Sequence, residues 1–212
     1  MRRSLEITKP LQDLRKQLPK LNATGILLAG GKSSRMKKDK AFLEMDGQPL
    51  VERSLEVLQT IFSQVIISSN KPELFARYDV PIIKDELLDR GPIEGLYQGL
   101  KAAANDNVFF VACDMPFLKT DLIRYLARWI PEYDIVVPKT QAGLHPLHAF
   151  YHRRCLPTIK KSLEAGRLKI IDLFLLCSVK YVEETELESF SDLTNVFYNV
   201  NTPEDWAAIH KR

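Results

Sequence analysis

An apolar run from Gly25 to Ala29 stops at paired glycines, Gly30-Gly31, and a basic stretch leads from there to a helical pattern over Leu50 to Phe62. A strand, a glycine turn, a loop and a helix in that order constrain the fold more than any other feature. The alternation continues along the chain. Apolar, β-rich runs recur at 24–29, 64–68, 81–84, 108–113, 134–138, 147–151, 178–182 and 196–200. Between them Ile93, Leu96, Tyr97 and Leu100 form one stripe at helical spacing, and Leu122, Ile123, Leu126 and Trp129 another. Alternating strands and helices predict an α/β fold of three layers, a mainly parallel sheet with helices on both faces. Val108-Phe109-Phe110-Val111-Ala112 lacks polar alternation, as expected of a central strand covered on both sides. The stretch 139–195 breaks the alternation and leaves room for antiparallel strands.

The glycine turn points to phosphate. Paired glycines let backbone N–H groups approach an anion closely, because no Cβ intervenes. Lys32, Arg35, Lys37, Lys38 and Lys40 follow within nine residues, against the single acid Asp39. Gly31-Lys32-Ser33 imitates the end of a P-loop, but that motif needs glycine at position 26, where the chain has Ile26. A P-loop is therefore excluded, and a basic β–α turn remains.

At 212 residues, 45% of them hydrophobic, the chain suffices for one large α/β domain with a full core. Net charge is only +3, and it is concentrated at the start: residues 1–20 hold six basic side chains and two acids. With that segment set aside, the remaining 24 basic and 25 acidic residues argue against nucleic acid as a partner. No run approaches the ~18 apolar residues of a membrane span, and the basic leader has no apolar segment of a secretory signal. Cys113, Cys155 and Cys177 are odd in number and widely spaced, which fits reduced thiols and a cytoplasmic location. The expected division is a basic N-terminal extension over 1–22 and one domain over 23–212.

Ligands of open parallel sheets bind beyond the carboxyl ends of the strands, and several chemically loaded stretches fall there. Cys113-Asp114-Met115-Pro116-Phe117 follows the central run, placing Asp114 to hold Mg²⁺, which commonly takes one or two carboxylates and fills its shell with water and phosphate. A turn-stabilising role for the same Asp is the competing reading. Asp85 follows Ile82-Ile83-Lys84, ahead of Gly91-Pro92-Ile93-Glu94-Gly95, whose glycines imply close backbone approach at a helix start, with a structural turn as the competing reading. Asn199 and Asn201, two apart, would project together from an extended strand, with a capping role for Asn201 as the alternative. Thr202-Pro203-Glu204-Asp205 reads as a helix start. His145, His148 and His152 do not read as a metal site: on a strand 145 and 148 face opposite sides, and no Cys or strong carboxylate ligand is interleaved.

Taken in order, Leu28-Ala29-Gly30-Gly31 with Arg35-Met36 and Lys40, Gly91-Pro92 with Gly95, Cys113-Asp114-Met115-Pro116-Phe117, His145-Pro146-Leu147 and Asn199-Val200-Asn201-Thr202-Pro203-Glu204-Asp205 resemble the molybdenum cofactor guanylyltransferases, a MobA-like nucleotidyltransferase family. The resemblance covers about residues 23–212. It implies a single Rossmann-like nucleotidyltransferase domain. It also implies transfer of GMP from GTP to the terminal phosphate of molybdopterin cofactor, with release of pyrophosphate and dependence on Mg²⁺. It assigns Leu28, Ala29, Gly30 and Gly31 to guanine and phosphates and Lys40 to phosphate. The family's polar group after the second strand falls at Ser68, with Asn70 two residues on, and its nucleotide-binding Asp at Asp85. Asp114 takes the place of the magnesium ligand and nucleotide contact, Arg35 that of an assistant to Lys40, and Asn199, Asn201 and His145 line the acceptor side. Lys37 departs from the family, which usually has Gly there. The implied partners are GTP, molybdopterin and, transiently, cofactor-biosynthesis or molybdoenzyme-chaperone proteins. A CTP-dependent or other small-molecule nucleotidyltransferase and a non-catalytic GTP-binding adapter are the alternative readings.

Overall fold

The computed structural model describes residues 18–30, 40–87, 89–190 and 192–209. Its centre is an eight-stranded sheet of β1 (Leu21–Leu28), β4 (Phe62–Ser68), β5 (Ile82–Ile83), β6 (Asn107–Ala112), β7 (Ile135–Thr140), β8 (Gly143–Leu144), β9 (His148–His152) and β10 (Val179–Glu183). Across the sheet the order is β5-β4-β1-β6-β9-β7-β10, with β8 beside β7. Only β8 and β9 run against the others, both inside the stretch where the alternation fails.

Successive side chains of each strand go to opposite faces, and each face has its own helices. Leu27, Ile67, Phe109 and Val111 pack with Val51, Leu55 and Leu58 of α1 (Leu50–Ile61) and with Leu122, Ile123 and Leu126 of α3 (Thr120–Leu126). Ile26, Ile66, Val108 and Phe110 face Ile93, Leu96 and Leu100 of α2 (Pro92–Ala102) and Ile159 and Leu163 of α4 (Leu156–Glu164). Burying each such side chain contributes roughly 1.5–3 kcal/mol before entropy is counted. Gly99 lets α2 lie close: a Cβ there would sit 2.5 Å from Ile26 Cδ1 and 2.6 Å from Phe110 Cε1.

Four sequence expectations change. The helix over 50–62 ends at Ile61, and Phe62 opens β4 directly. The Phe62 ring stacks on Phe109, with centroids 5.6 Å apart, and lies over Gly25, so tertiary packing outweighs helical continuation. The run at 196–200 is not a strand: α6 (Leu193–Val196) is one helical turn, and the Val200 N–H donates to the Asp114 carbonyl at 2.9 Å instead of to a sheet ladder. β1 begins at Leu21, which pairs with Phe62, so residues 21–22 belong to the sheet. A small hairpin, β2 (Glu44–Met45) and β3 (Gln48–Pro49), was not expected from the apolar runs; its signal was Asp46-Gly47, both at positive φ, the pair that favours a two-residue hairpin turn. Between β10 and α6 stands a short helix, α5 (Glu184–Leu187).

The last helix, α7 (Pro203–Ile209), starts where the sequence placed it. Thr202 Oγ1 accepts from the Asp205 N–H, and Asp205 Oδ2 accepts from the Thr202 N–H, a capping box with Asp in the third position. Ile209 and Val200 then pack on Met45 of the hairpin and Leu50 of α1, a third small core that pins the C-terminal segment to the sheet's carboxyl end.

Candidate functional site

The strand register sets the site. Leu28 lies level with Ser68 on one side and with Ala112 on the other, and Ser68 lies level with Ile83. Four parallel strands therefore end on one line. Gly30, Asn70, Asp85 and Asp114 each stand two residues beyond it, forming a common rim. β1 and β6 are adjacent, and the chain leaves β1 for β4 on the far side, so the crevice between them is the topological switch point where α/β sheets bind ligands.

On the β6 side, Lys40 opens a short 3₁₀ turn, Lys40–Phe42, and its ammonium donates to Asn201 Oδ1 at 2.8 Å and to Asp114 Oδ2 at 3.3 Å. The other carboxylate oxygen, Asp114 Oδ1, is buried without a hydrogen-bond partner among the described residues. Burial pushes the Asp114 carboxyl above the usual carboxylate range, and the Lys40 charge opposes that shift. A carboxylate oxygen without a donor among the described residues is the kind of ligand a hard divalent ion takes. Among the described residues no group of three or more His, Cys, Asp or Glu side chains is placed to hold a metal.

On the β4 side, Asn70 and Asp85 pair reciprocally: Asn70 Nδ2 donates to Asp85 Oδ2 at 2.8 Å, and the Asp85 N–H donates to Asn70 Oδ1 at 2.9 Å. Burial raises the Asp85 carboxyl, Asn70 opposes this, and the nearby Glu94 charge raises it further. Ser68 is buried behind them, so Asn70 is the exposed polar group after this strand. Gly95 completes the wall: a Cβ there would lie 3.1 Å from Leu28 Cδ2 and 3.4 Å from Ser68 Oγ. In the glycine turn, the Leu28 carbonyl accepts from the Cys113 N–H and the Ala29 N–H donates to the Ser68 carbonyl. These two groups continue the sheet, and Gly30 is the first exposed residue of the loop. Gly31 and Arg35 lie outside the described residues.

The acceptor-side candidates are spread more widely. Asn201 turns onto Lys40, whereas Asn199 Nδ2 donates to the Phe197 carbonyl at 3.4 Å, so the two amides do not act as the pair an extended strand would present. His145 stacks on Phe197, with ring centroids 4.0 Å apart, and its Nε2 is 2.8 Å from Thr140 Oγ1. Burial lowers its pKa to about 4. His148 also meets Phe197, edge to face at 5.3 Å. The two rings do not point apart as on a strand, because residues 146–147 form a turn closed by the His148 N–H donating to the His145 carbonyl at 3.0 Å. Phe197 was not among the candidates. It carried no local signal, since its partners come from a turn some fifty residues earlier in the chain.

Comparison with known proteins gives the family and the fold. Residues 25–175 match the family model described as the MobA-like NTP transferase domain. A Pelotomaculum thermopropionicum protein named "Probable molybdenum cofactor guanylyltransferase" is 40% identical over 185 residues, covering 87% of this chain and 90% of that protein. A Syntrophotalea carbinolica protein named "Molybdenum cofactor guanylyltransferase" is 36% identical, covering 86% of this chain and 88% of that protein. Among solved structures, molybdopterin-guanine dinucleotide biosynthesis protein A from Archaeoglobus fulgidus superposes with a TM-score of 0.79 at 24% identity, covering 89% of this chain and 97% of that one, a likeness of fold.

Proposed function

The chain belongs to the MobA-like NTP transferase family, a family of nucleotidyltransferases, and from that premise we propose that it transfers GMP from GTP to the terminal phosphate of molybdopterin cofactor and releases pyrophosphate. The observation that carries the reading is the convergence of Lys40, Asp114 and Asn201 at the switch point, with Asp114 Oδ1 buried and unpartnered among the described residues.

An acceptor phosphate oxygen attacks the α-phosphorus; that P–O bond forms as the bond to the β-phosphate oxygen breaks. The acceptor is already anionic, so no general base is needed. The protein positions the two phosphates in line and neutralises charge. Lys40, with Arg35 assisting, balances the charge that grows on the leaving pyrophosphate. Asn201 holds the Lys40 ammonium over Asp114 in the free protein. Asp85, braced by Asn70, takes the nucleoside; the glycine turn at 30–31 serves the nucleotide, and Asn199 and His145 serve the acceptor. Asp114 Oδ1 is the atom that would hold Mg²⁺, which when bound polarises phosphate oxygens as a Lewis acid.

No helix of the described residues is long and apolar enough to cross a membrane. A cytoplasmic location and transient contact with cofactor-biosynthesis or molybdoenzyme-chaperone proteins complete the proposal. The deciding experiment incubates the protein with each nucleoside triphosphate, Mg²⁺ and molybdopterin cofactor and measures pyrophosphate. Turnover with GTP well above that with CTP and ATP is expected. Equal or better turnover with CTP moves the protein to the cytidylyl alternative, and GTP binding without turnover to the adapter.

A further inference from the structure

Glu94 is a carboxylate that the transfer chemistry does not use, yet it is only 1% exposed in the first turn of α2. Its Oε1 accepts three hydrogen bonds: from the Glu86 N–H at 3.2 Å, the Leu87 N–H at 3.3 Å and Gln98 Nε2 at 2.7 Å. Its Oε2 is buried with no partner among the described residues. Removing a carboxylate from water costs several kcal/mol unless hydrogen bonds compensate, so this arrangement calls for a role. The two backbone donors come directly after Asp85, on a stretch that has left the sheet at Ile83. The next residue of the helix, Gly95, backs the same wall, 3.8 Å from Asp85 Oδ1 when measured from a Cβ built on it. One turn of α2 thus touches the nucleotide wall through Gly95 and clamps the loop behind Asp85 through Glu94.

We propose that Glu94 is a positioning residue for the nucleotide, an internal clamp that fixes the 85–87 backbone so that Asp85 and Asn70 meet the nucleoside in one geometry. The inference rests on the nucleotidyl-transfer reading for its ligand. What the clamp requires is an acceptor oxygen rather than a charge. Because no described residue donates to Oε2, an amide nitrogen in its place breaks none of the described bonds, and Glu94→Gln retains the acceptor that the two backbone groups and Gln98 use.

The test compares Glu94→Ala with Glu94→Gln. Glu94→Ala raises KM for GTP about tenfold, equivalent to ~1.4 kcal/mol, while kcat and KM for the acceptor stay within about twofold of wild type. Glu94→Gln restores KM for GTP to within about twofold. An unchanged KM for GTP in Glu94→Ala, an equal rise in the acceptor KM, or a Glu94→Gln as impaired as Glu94→Ala overturns the proposal. Amide hydrogen exchange at Glu86 and Leu87 reads the clamp without any substrate. Slow exchange in wild type and Glu94→Gln supports it. Fast exchange in wild type overturns it, even where Glu94→Ala fails to fold. A wild-type protein with slow exchange at these amides but no GTP turnover would sink the transfer reading while leaving the clamp standing.

Discussion

Lys40 donates to Asn201 at 2.8 Å across 161 residues of sequence. The same ammonium reaches Asp114, so residues from the start, middle and end of the chain meet at one cation. The contact depends on the third small core, which seats α7 and Val200 against the hairpin and α1.

Replacement of Asp114 by Asn removes the carboxylate that the proposal sets at the reacting phosphates. Asp114→Asn is expected to abolish turnover while leaving thermal unfolding close to wild type. Activity within about tenfold of wild type, ~1.4 kcal/mol of barrier, would contradict the role given to this residue.

Lys40→Met keeps most of the side-chain volume and removes the ammonium. A roughly 10²-fold fall in kcat is expected, the scale seen when one preorganised electrostatic group is lost. Steady-state kinetics on protein of unchanged circular dichroism checks it, and an effect confined to KM would show that Lys40 serves binding alone.

His148 is fully buried between Phe109 and Phe197 with both ring nitrogens unpartnered among the described residues, and burial, reinforced by His145, lowers its pKa from 6.5 to about 3. Between those values the unfolded chain binds a proton that the folded ring does not. Stability is therefore retained above about pH 6.5 and falls as pH drops toward 3, by up to about 1.4 kcal/mol per pH unit from this group. His148→Leu is expected to flatten that slope in urea melts between pH 4.5 and 7.5. An unchanged slope would show that the ring takes up its proton while folded.

Gly99→Ala adds a methyl where Ile26 and Phe110 already stand. Overpacking of this kind costs about 1–3 kcal/mol, and in a chain of this size each kcal/mol lowers Tm by about 2–4 °C. A differential-scanning measurement with no change in Tm would mean that α2 moves away freely.

Removal of residues 1–17 is expected to leave guanylyl transfer within about threefold of wild type, since every residue assigned to the site lies beyond them. Removal of 1–22 cuts into β1, where Leu21 pairs with Phe62, and deletes Pro19, whose carbonyl accepts from Arg124 Nη1 at 3.0 Å; its melting temperature is expected to fall. Equal stability of the two truncations would place the structural boundary after residue 22.

The sheet was readable because its strands are short apolar runs and its helices are 3.6-residue stripes, patterns carried by neighbours in sequence. The rim followed from the same reading, since Gly30, Asp85 and Asp114 each close such a run. Asn199 and Asn201 were found as a pair, but their conformation was not, because a strand needs a partner and Val200 found the Asp114 carbonyl instead. The turn that brings His145 and His148 to Phe197, and the three donors gathered on Glu94, left no periodic trace either.

Local pattern alone thus determined the α/β class, the glycine turn after the first strand and the order in which polar residues reach the carboxyl edge. Tertiary structure alone decided that four strands end level, that Lys40, Asp114 and Asn201 share one point, and which oxygen of Asp114 is left without a partner among the described residues. Backbone periodicity is a property of adjacent residues. Register and long-range hydrogen bonding depend on how separate layers pack, and no window of the chain contains both partners.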